Sequence, residues 1–146
     1  MSQREKLLAV VDDDLQQDCS DYLSLRQLMQ EMYGHLLKHD VPEIDRTNVL
    51  IGSRIEALSA RAARRSKVLA AFGQETTAAG MQRLLTGSSG ERGESLRRHW
   101  QQVGELAAEC QQLNERNGKL LAMHHEILQQ LLAGNQDAQL YSPQAY

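Results

Sequence analysis

Residues 99–146 read HWQQVGELAAECQQLNERNGKLLAMHHEILQQLLAGNQDAQLYSPQAY, and the spacing of their apolar positions decides the fold. Leu96, Val103, Cys110, Asn117, His124 and Leu131 recur every seven residues, and His99, Leu106, Leu113, Leu120 and Ile127 follow three residues behind. A sustained period of seven is the mark of a helix seamed against another helix in coiled-coil fashion. Asn117, His124 and the terminal His99 are the polar members of these rows, and a single Asn in such a seam sets register at some loss of stability. Leu121, Leu128 and Leu132 flank the seam and widen the stripe, so this helix is expected to cover more than one neighbour. It should begin near Arg92–Leu96 and end at Leu132–Ala133, with Gly134 closing it. A polar tail over residues 135–146 then carries the apolar pair Leu140-Tyr141.

Working outward, the first part of the chain shows the same period. Leu8, Leu15, Tyr22, Met29 and Leu36 form one row, and Val11, Leu25 and Met32 form a second that Asp18 interrupts. This predicts a helix from Gln3 to Lys38 in similar seams. Asp12, Asp13 and Asp14 are read as complementing the positive end of that helix. They are not read as a metal site, because consecutive helical side chains diverge by about 100°. Asp40-Val-Pro-Glu43 is a capping-box-like start, with Pro42 in the first turn where its missing N–H is harmless. His39 to Val41 therefore reads as a tight reversal into an antiparallel second helix. That helix carries Ile44, Ile51, Ile55, Leu58, Ala62, Leu69 and Phe72, and Gly73 caps its end. Residues 74–85 suggest a short third helix around Met81, Leu84 and Leu85, weakened by Gly80. Residues 86–95, rich in Gly and Ser, read as a flexible connection; a phosphate-cradling loop is the sharper alternative, disfavoured by the missing Gly-Lys-Ser/Thr ending and preceding strand.

Bulk properties agree with this picture. The 146 residues suit one domain, and the single Phe and single Trp imply an aliphatic core. Prolines stand only at Pro42 and Pro143, leaving the chain between them free to form long helices. The formal charge of −3 argues against nucleic acid. The basic cluster Arg61, Arg64, Arg65 and Lys67 is read as a solvated helix face, with a phosphate site as the sharper alternative. No apolar run is long enough to span a membrane. The opening Met-Ser-Gln-Arg-Glu-Lys leads into an amphipathic pattern, not a signal-peptide core, so a cytoplasmic location is expected. Cys19 and Cys110 lie on apolar stripes and read as reduced, buried thiols.

Catalytic chemistry is not suggested. His124, His125 and Glu126 invite a metal reading, but no Glu stands three residues before a His, as a di-iron bundle requires. No nucleophile–base pair, nucleotide loop, redox motif or cofactor box stands out. A non-enzymatic binding protein without cofactor or metal is the expectation.

The stretch Leu113-Asn-Glu-Arg-Asn-Gly-Lys-Leu-Leu121, continuing to Leu131-Leu132 and a downstream Leu-Tyr, resembles the C-terminal signature of the FlgN family. That family comprises flagellar type III export chaperones for the hook–filament junction proteins. The resemblance covers roughly Trp100 to Tyr141. It implies a protein that binds FlgK and FlgL near their C-termini, holds them unassembled and delivers them to the export machinery. It also implies that Leu113, Asn114, Asn117, Gly118, Leu120, Leu121, Ile127, Leu128 and Leu131 bind the client, and that Leu140 and Tyr141 dock on the export-gate protein FlhA. Tyr141 is followed here by Ser142-Pro143, where family members often carry Gly. From the residues alone, Gly118 opens a notch in the stripe that serves either a partner or close internal helix contact.

The expectation is thus an all-α fold: an antiparallel bundle of three long helices plus one short helix, with coiled-coil-like seams. Residues 1–134 form one domain and residues 135–146 a flexible tail. The alternative function is a coiled-coil adaptor that self-associates through the same stripe; the oligomeric state is left open.

Overall fold

The described residues form four helices. The computed structural model describes residues 2–139, apart from the side chains of His124, Leu128 and residues 134–139. The elements are α1 (Gln3–Leu37), α2 (Val41–Ala71), α3 (Ala78–Gly87) and α4 (Gly90–Gln139). The fold is all-α, as the periodicity implied.

Local chemistry explains each boundary. Ser2 caps α1, its hydroxyl accepting from the Glu5 amide while the Glu5 carboxylate accepts from the Ser2 amide, a complete capping box. α1 ends when His39 takes a left-handed conformation (φ 55°) and the Asp40 amide reaches back to the His35 carbonyl. Asp40 then caps α2 by accepting from the Glu43 amide. The other half of the expected box is not made, because Glu43 pairs with Arg46 instead. At the end of α2, Gly73 (φ 71°) donates to Ala70 and Gln74 donates to Leu69, both at 2.9 Å, completing a Schellman motif.

α1 and α2 run antiparallel, and α3 makes a second reversal that sets α4 parallel to α1. The α1–α4 seam keeps a constant offset. The Cys110 thiol meets the Tyr22 carbonyl and the Asn117 amide meets the Met29 carbonyl, each pair 88 residues apart. The same offset aligns Leu8 with Leu96 and Leu15 with Val103, all four buried in one core cluster. The two heptad rows seen in the sequence are therefore the two sides of one seam.

Two charge readings are corrected. α1 begins at Gln3, so Asp12 and Asp14 lie beyond its first turn, and both are buried; only Asp13 is exposed. Asp14 pairs with Arg64, and Asp18, 1% exposed, pairs with both Arg61 and Arg65. Arg61 also reaches Asp21. The basic cluster of α2 is thus solvated only in part: Arg64 and Lys67 are exposed, whereas Arg61 and Arg65 are largely buried against carboxylates of α1. The residue that interrupts the apolar row of α1 is the one that fixes α2 against it.

The Gly/Ser connection is also not a loop. Only Ser88 and Ser89 separate α3 from α4; Ser88 is buried and donates to the Leu84 carbonyl. Arg97 of α4 donates to the Leu85 and Ser88 carbonyls at 2.8 and 2.9 Å, satisfying the end of α3. Gly80 is required in α3, since a Cβ there would stand 1.8 Å from the Glu75 carbonyl oxygen. Finally, α4 continues past Gly134 to Gln139, so Gly134 does not close it.

Candidate functional site

The three long helices do not close on one another. No Cα of α2 lies within 8 Å of one of α4 among the described residues, whereas both pack along α1. Directly packed helices stand about 8–10 Å apart axis to axis, which brings their Cα atoms closer than that. α2 and α4 therefore flank a gap floored by α1. At one end α3 touches both and fills it, burying Met81, Leu84 and Leu85 against Val68, Leu69 and Leu96.

At the other end the gap is open. A groove of about 230 Å³ is floored by Met29, Met32 and Leu36 of α1. Its walls are Ile44, Asn48 and Ile51 of α2 and Asn114, Asn117, Gly118 and Leu121 of α4. Of the apolar stripe read on α2, only Leu69, beside α3, is buried; Ile44, Ile51 and Leu58 are half-buried and Ile55 is exposed.

Asn117 is 7% exposed, and its Nδ2 donates to the Met29 carbonyl at 2.8 Å. Its amide oxygen is buried with no hydrogen-bond partner. A buried acceptor left empty costs roughly 1–3 kcal/mol. A Cβ on Gly118 would meet nothing within 4 Å, so internal contact does not demand the glycine.

Beyond the groove, α4 outruns the bundle. The 88-residue offset brings the end of α1, at Leu37, level with position 125. The remainder of α4, to Gln139, then projects about 20 Å past the α1–α2 turn at 1.5 Å per residue. Leu121, Met123, Ile127 and Leu131 are 56%, 56%, 50% and 65% exposed. Met123, Ile127 and Leu131, four residues apart, share one face of the helix.

The client-binding residues expected from sequence divide accordingly. Asn114, Asn117, Gly118 and Leu121 line the groove; Leu113 and Leu120 are half-buried, and Leu113 packs on the cluster of Leu25, Met29 and Cys110. Ile127 and Leu131 lie on the projecting helix, and the side chain of Leu128 is outside the described residues. Leu140 and Tyr141 are outside them too. Sequence reasoning missed Met123, which stands three residues after Leu120 and four before Ile127, and it missed the walls of the groove on α1 and α2. The α2 stripe was the available signal, read as core rather than as a face lacking cover.

A polar cluster at the α3 end joins α1 to α4. Asp12 receives Ser95 and Arg92 at 2.8 Å and His99 Nδ1 at 2.7 Å. Burial pushes the Asp12 carboxyl up, but the hydrogen bonds from His99, Ser95 and Arg92 outweigh it and hold the group below its ordinary value. Serine, histidine and aspartate here do not make a nucleophile. The Ser95 hydroxyl donates to Asp12, and Ser95 and Asp12 meet the same ring nitrogen, whereas activation needs the two on opposite nitrogens.

Fold and site together define a small helical bundle with an open groove and a projecting apolar helix end. The sequence model of the FlgN family (FlgN protein) matches residues 1–145, and the chain belongs to that family. Its general role, flagellar export chaperone, comes with that membership. The fold is similar to the crystal structure of a flagella synthesis protein FlgN from Pseudomonas aeruginosa, with a TM-score of 0.66 at 24% identity over 75% of this chain and 84% of that one. No curated protein matches the chain. Among the described residues no helix is long and apolar enough to cross a membrane.

Proposed function

We propose that the chain acts in the cytoplasm, binding the C-terminal regions of FlgK and FlgL through α4, keeping them unassembled and delivering them to the export gate. The supporting observation is the apolar end of α4, where Ile127 and Leu131 project beyond α1 and Leu121 and Met123 lie exposed just before that point. An amphipathic helix of this kind exchanges partners by laying its i, i+3, i+4, i+7 anchors against a second apolar surface. The action is one of binding and release, not catalysis. Leu140 and Tyr141, joined to the end of this helix, are proposed to dock on FlhA.

Purified protein mixed with C-terminal fragments of FlgK and FlgL should co-elute with each on a sizing column. Co-elution with neither rejects the proposal. Sedimentation of the protein alone separates it from a self-associating coiled-coil adaptor, which would dimerise through the same stripe at tens of micromolar. Tyr141→Ala should preserve the melting temperature and FlgK binding while weakening binding to the cytoplasmic part of FlhA.

A further inference from the structure

Resting on the client reading above, we propose that the open gap between α2 and α4 receives a short amphipathic helix of the client, bridging those two helices as α3 does at the other end. The molecule itself shows what fits there. α3 bridges α2 and α4 with Met81, Leu84 and Leu85, an i, i+3, i+4 set, and where it lies the α2 stripe is buried. Where α3 stops, the same stripe continues through Leu58, Ile55, Ile51 and Ile44; Leu58 and Ile51 reach the Leu25–Met29–Cys110 cluster with one side only and stay half-buried, and Ile55 is exposed. A helix bearing apolar side chains at the same spacing repeats that arrangement.

The second requirement comes from Asn117. Asn117 lines this groove and its amide oxygen is buried without a partner, so a client helix packing on this side chain satisfies that oxygen only if it carries a hydrogen-bond donor, a side-chain amide or hydroxyl, beside its apolar residues. That polar contact sets the helix in one register, as a seam Asn does in a coiled coil. α2 thereby becomes part of the client site, although the family signature lies on α4 alone.

The protein's four isoleucines provide the test: Ile44, Ile51 and Ile55 stand along the α2 stripe and Ile127 on the projecting helix. Methyl NMR of the full chain, isoleucine-labelled and titrated with a C-terminal FlgK fragment, should shift the three α2 methyls. Shifts at Ile127 alone overturn the gap assignment while leaving the client reading intact. Binding of neither FlgK nor FlgL overturns the client reading itself. Shifts of the α2 methyls on raising protein concentration alone assign the gap to a second copy, and shifts on deleting residues 140–146 assign it to the chain's own tail; either overturns the proposal. Asn48→Trp, at an exposed position on the groove wall, should weaken FlgK-fragment binding at least tenfold with an unchanged melting temperature. Undiminished binding by that folded variant overturns the proposal as well.

Discussion

Asn117 donates to the main-chain carbonyl of Met29 at 2.8 Å while its own amide oxygen, buried in the same seam, accepts nothing. The side chain is therefore half used by the fold. A leucine of similar size would give up one hydrogen bond, worth about 1 kcal/mol net, and remove an empty acceptor that costs roughly 1–3 kcal/mol. Asn117→Leu should leave the free protein as stable or up to about 2 kcal/mol more stable, read from urea unfolding. Client binding should weaken about tenfold, the loss expected for one hydrogen bond of roughly 1.4 kcal/mol. A large loss of stability would show that the Met29 contact outweighs the orphaned oxygen.

Asp18 behaves in the opposite way. It is buried between Arg61 and Arg65, whose side chains are each 13% exposed, so its removal strands two guanidinium groups in the α1–α2 interface. Breaking a buried pair by deleting one partner costs roughly 3–5 kcal/mol, and Arg61 keeps Asp21, so Asp18→Ala should cost about 3 kcal/mol. The midpoint of urea unfolding should fall with little change in slope.

These two residues mark how far the sequence could be read. Heptad rows were legible because each position reports the helix period, and both sides of the α1–α4 seam followed from it. Asn117 stood out as a polar residue within such a row. Asp18 looked like an interruption, since the arginines that bury it lie more than 40 residues away and periodicity carries no record of partners across the bundle. Ser88 and its neighbours read as a linker because composition cannot show that Arg97 and a buried hydroxyl hold them in place. The α2 stripe was visible, but a stripe reveals only that a helix wants cover. Whether the chain supplies that cover depended on α3 being too short to run the length of the gap.

Asp12 gives a pH prediction. Its folded-state carboxyl is held below the ordinary value, burial opposing and His99, Ser95 and Arg92 prevailing. A depressed carboxyl contributes stability that is fully present above its unfolded value, about 3.9, and is lost as pH falls through the folded value. Wild-type stability should therefore decline below about pH 4, and Asp12→Asn should show a shallower decline over that window. Unfolding free energies measured at a series of pH values from 3 to 7 would check this, and parallel profiles would count against it.

Gly118 sits inside α4 with open space where a side chain would be. Alanine in an exposed helix interior is favoured over glycine by about 0.8–1 kcal/mol, and nothing obstructs the added methyl. Gly118→Ala should raise the melting temperature by about 3 °C for a chain of this size. Because the methyl projects into the groove, the same variant should bind the FlgK fragment less well. A gain in stability with unchanged affinity would place the client elsewhere.

The projecting part of α4 separates folding from binding most sharply. Ile127 and Leu131 are half or more exposed and lie beyond the level at which α1 ends, so the bundle gains little from them. Substitutions at such exposed positions normally change stability by no more than about 0.5 kcal/mol. Ile127→Asp and Leu131→Asp should thus unfold at the same urea concentration as the wild type. If this surface anchors a client helix, each introduces a charge that must be desolvated on binding, and the double variant should lose co-elution with the FlgK and FlgL fragments. Retention of both clients by the double variant, with its stability intact, would move the whole binding surface back onto the groove between α2 and α4.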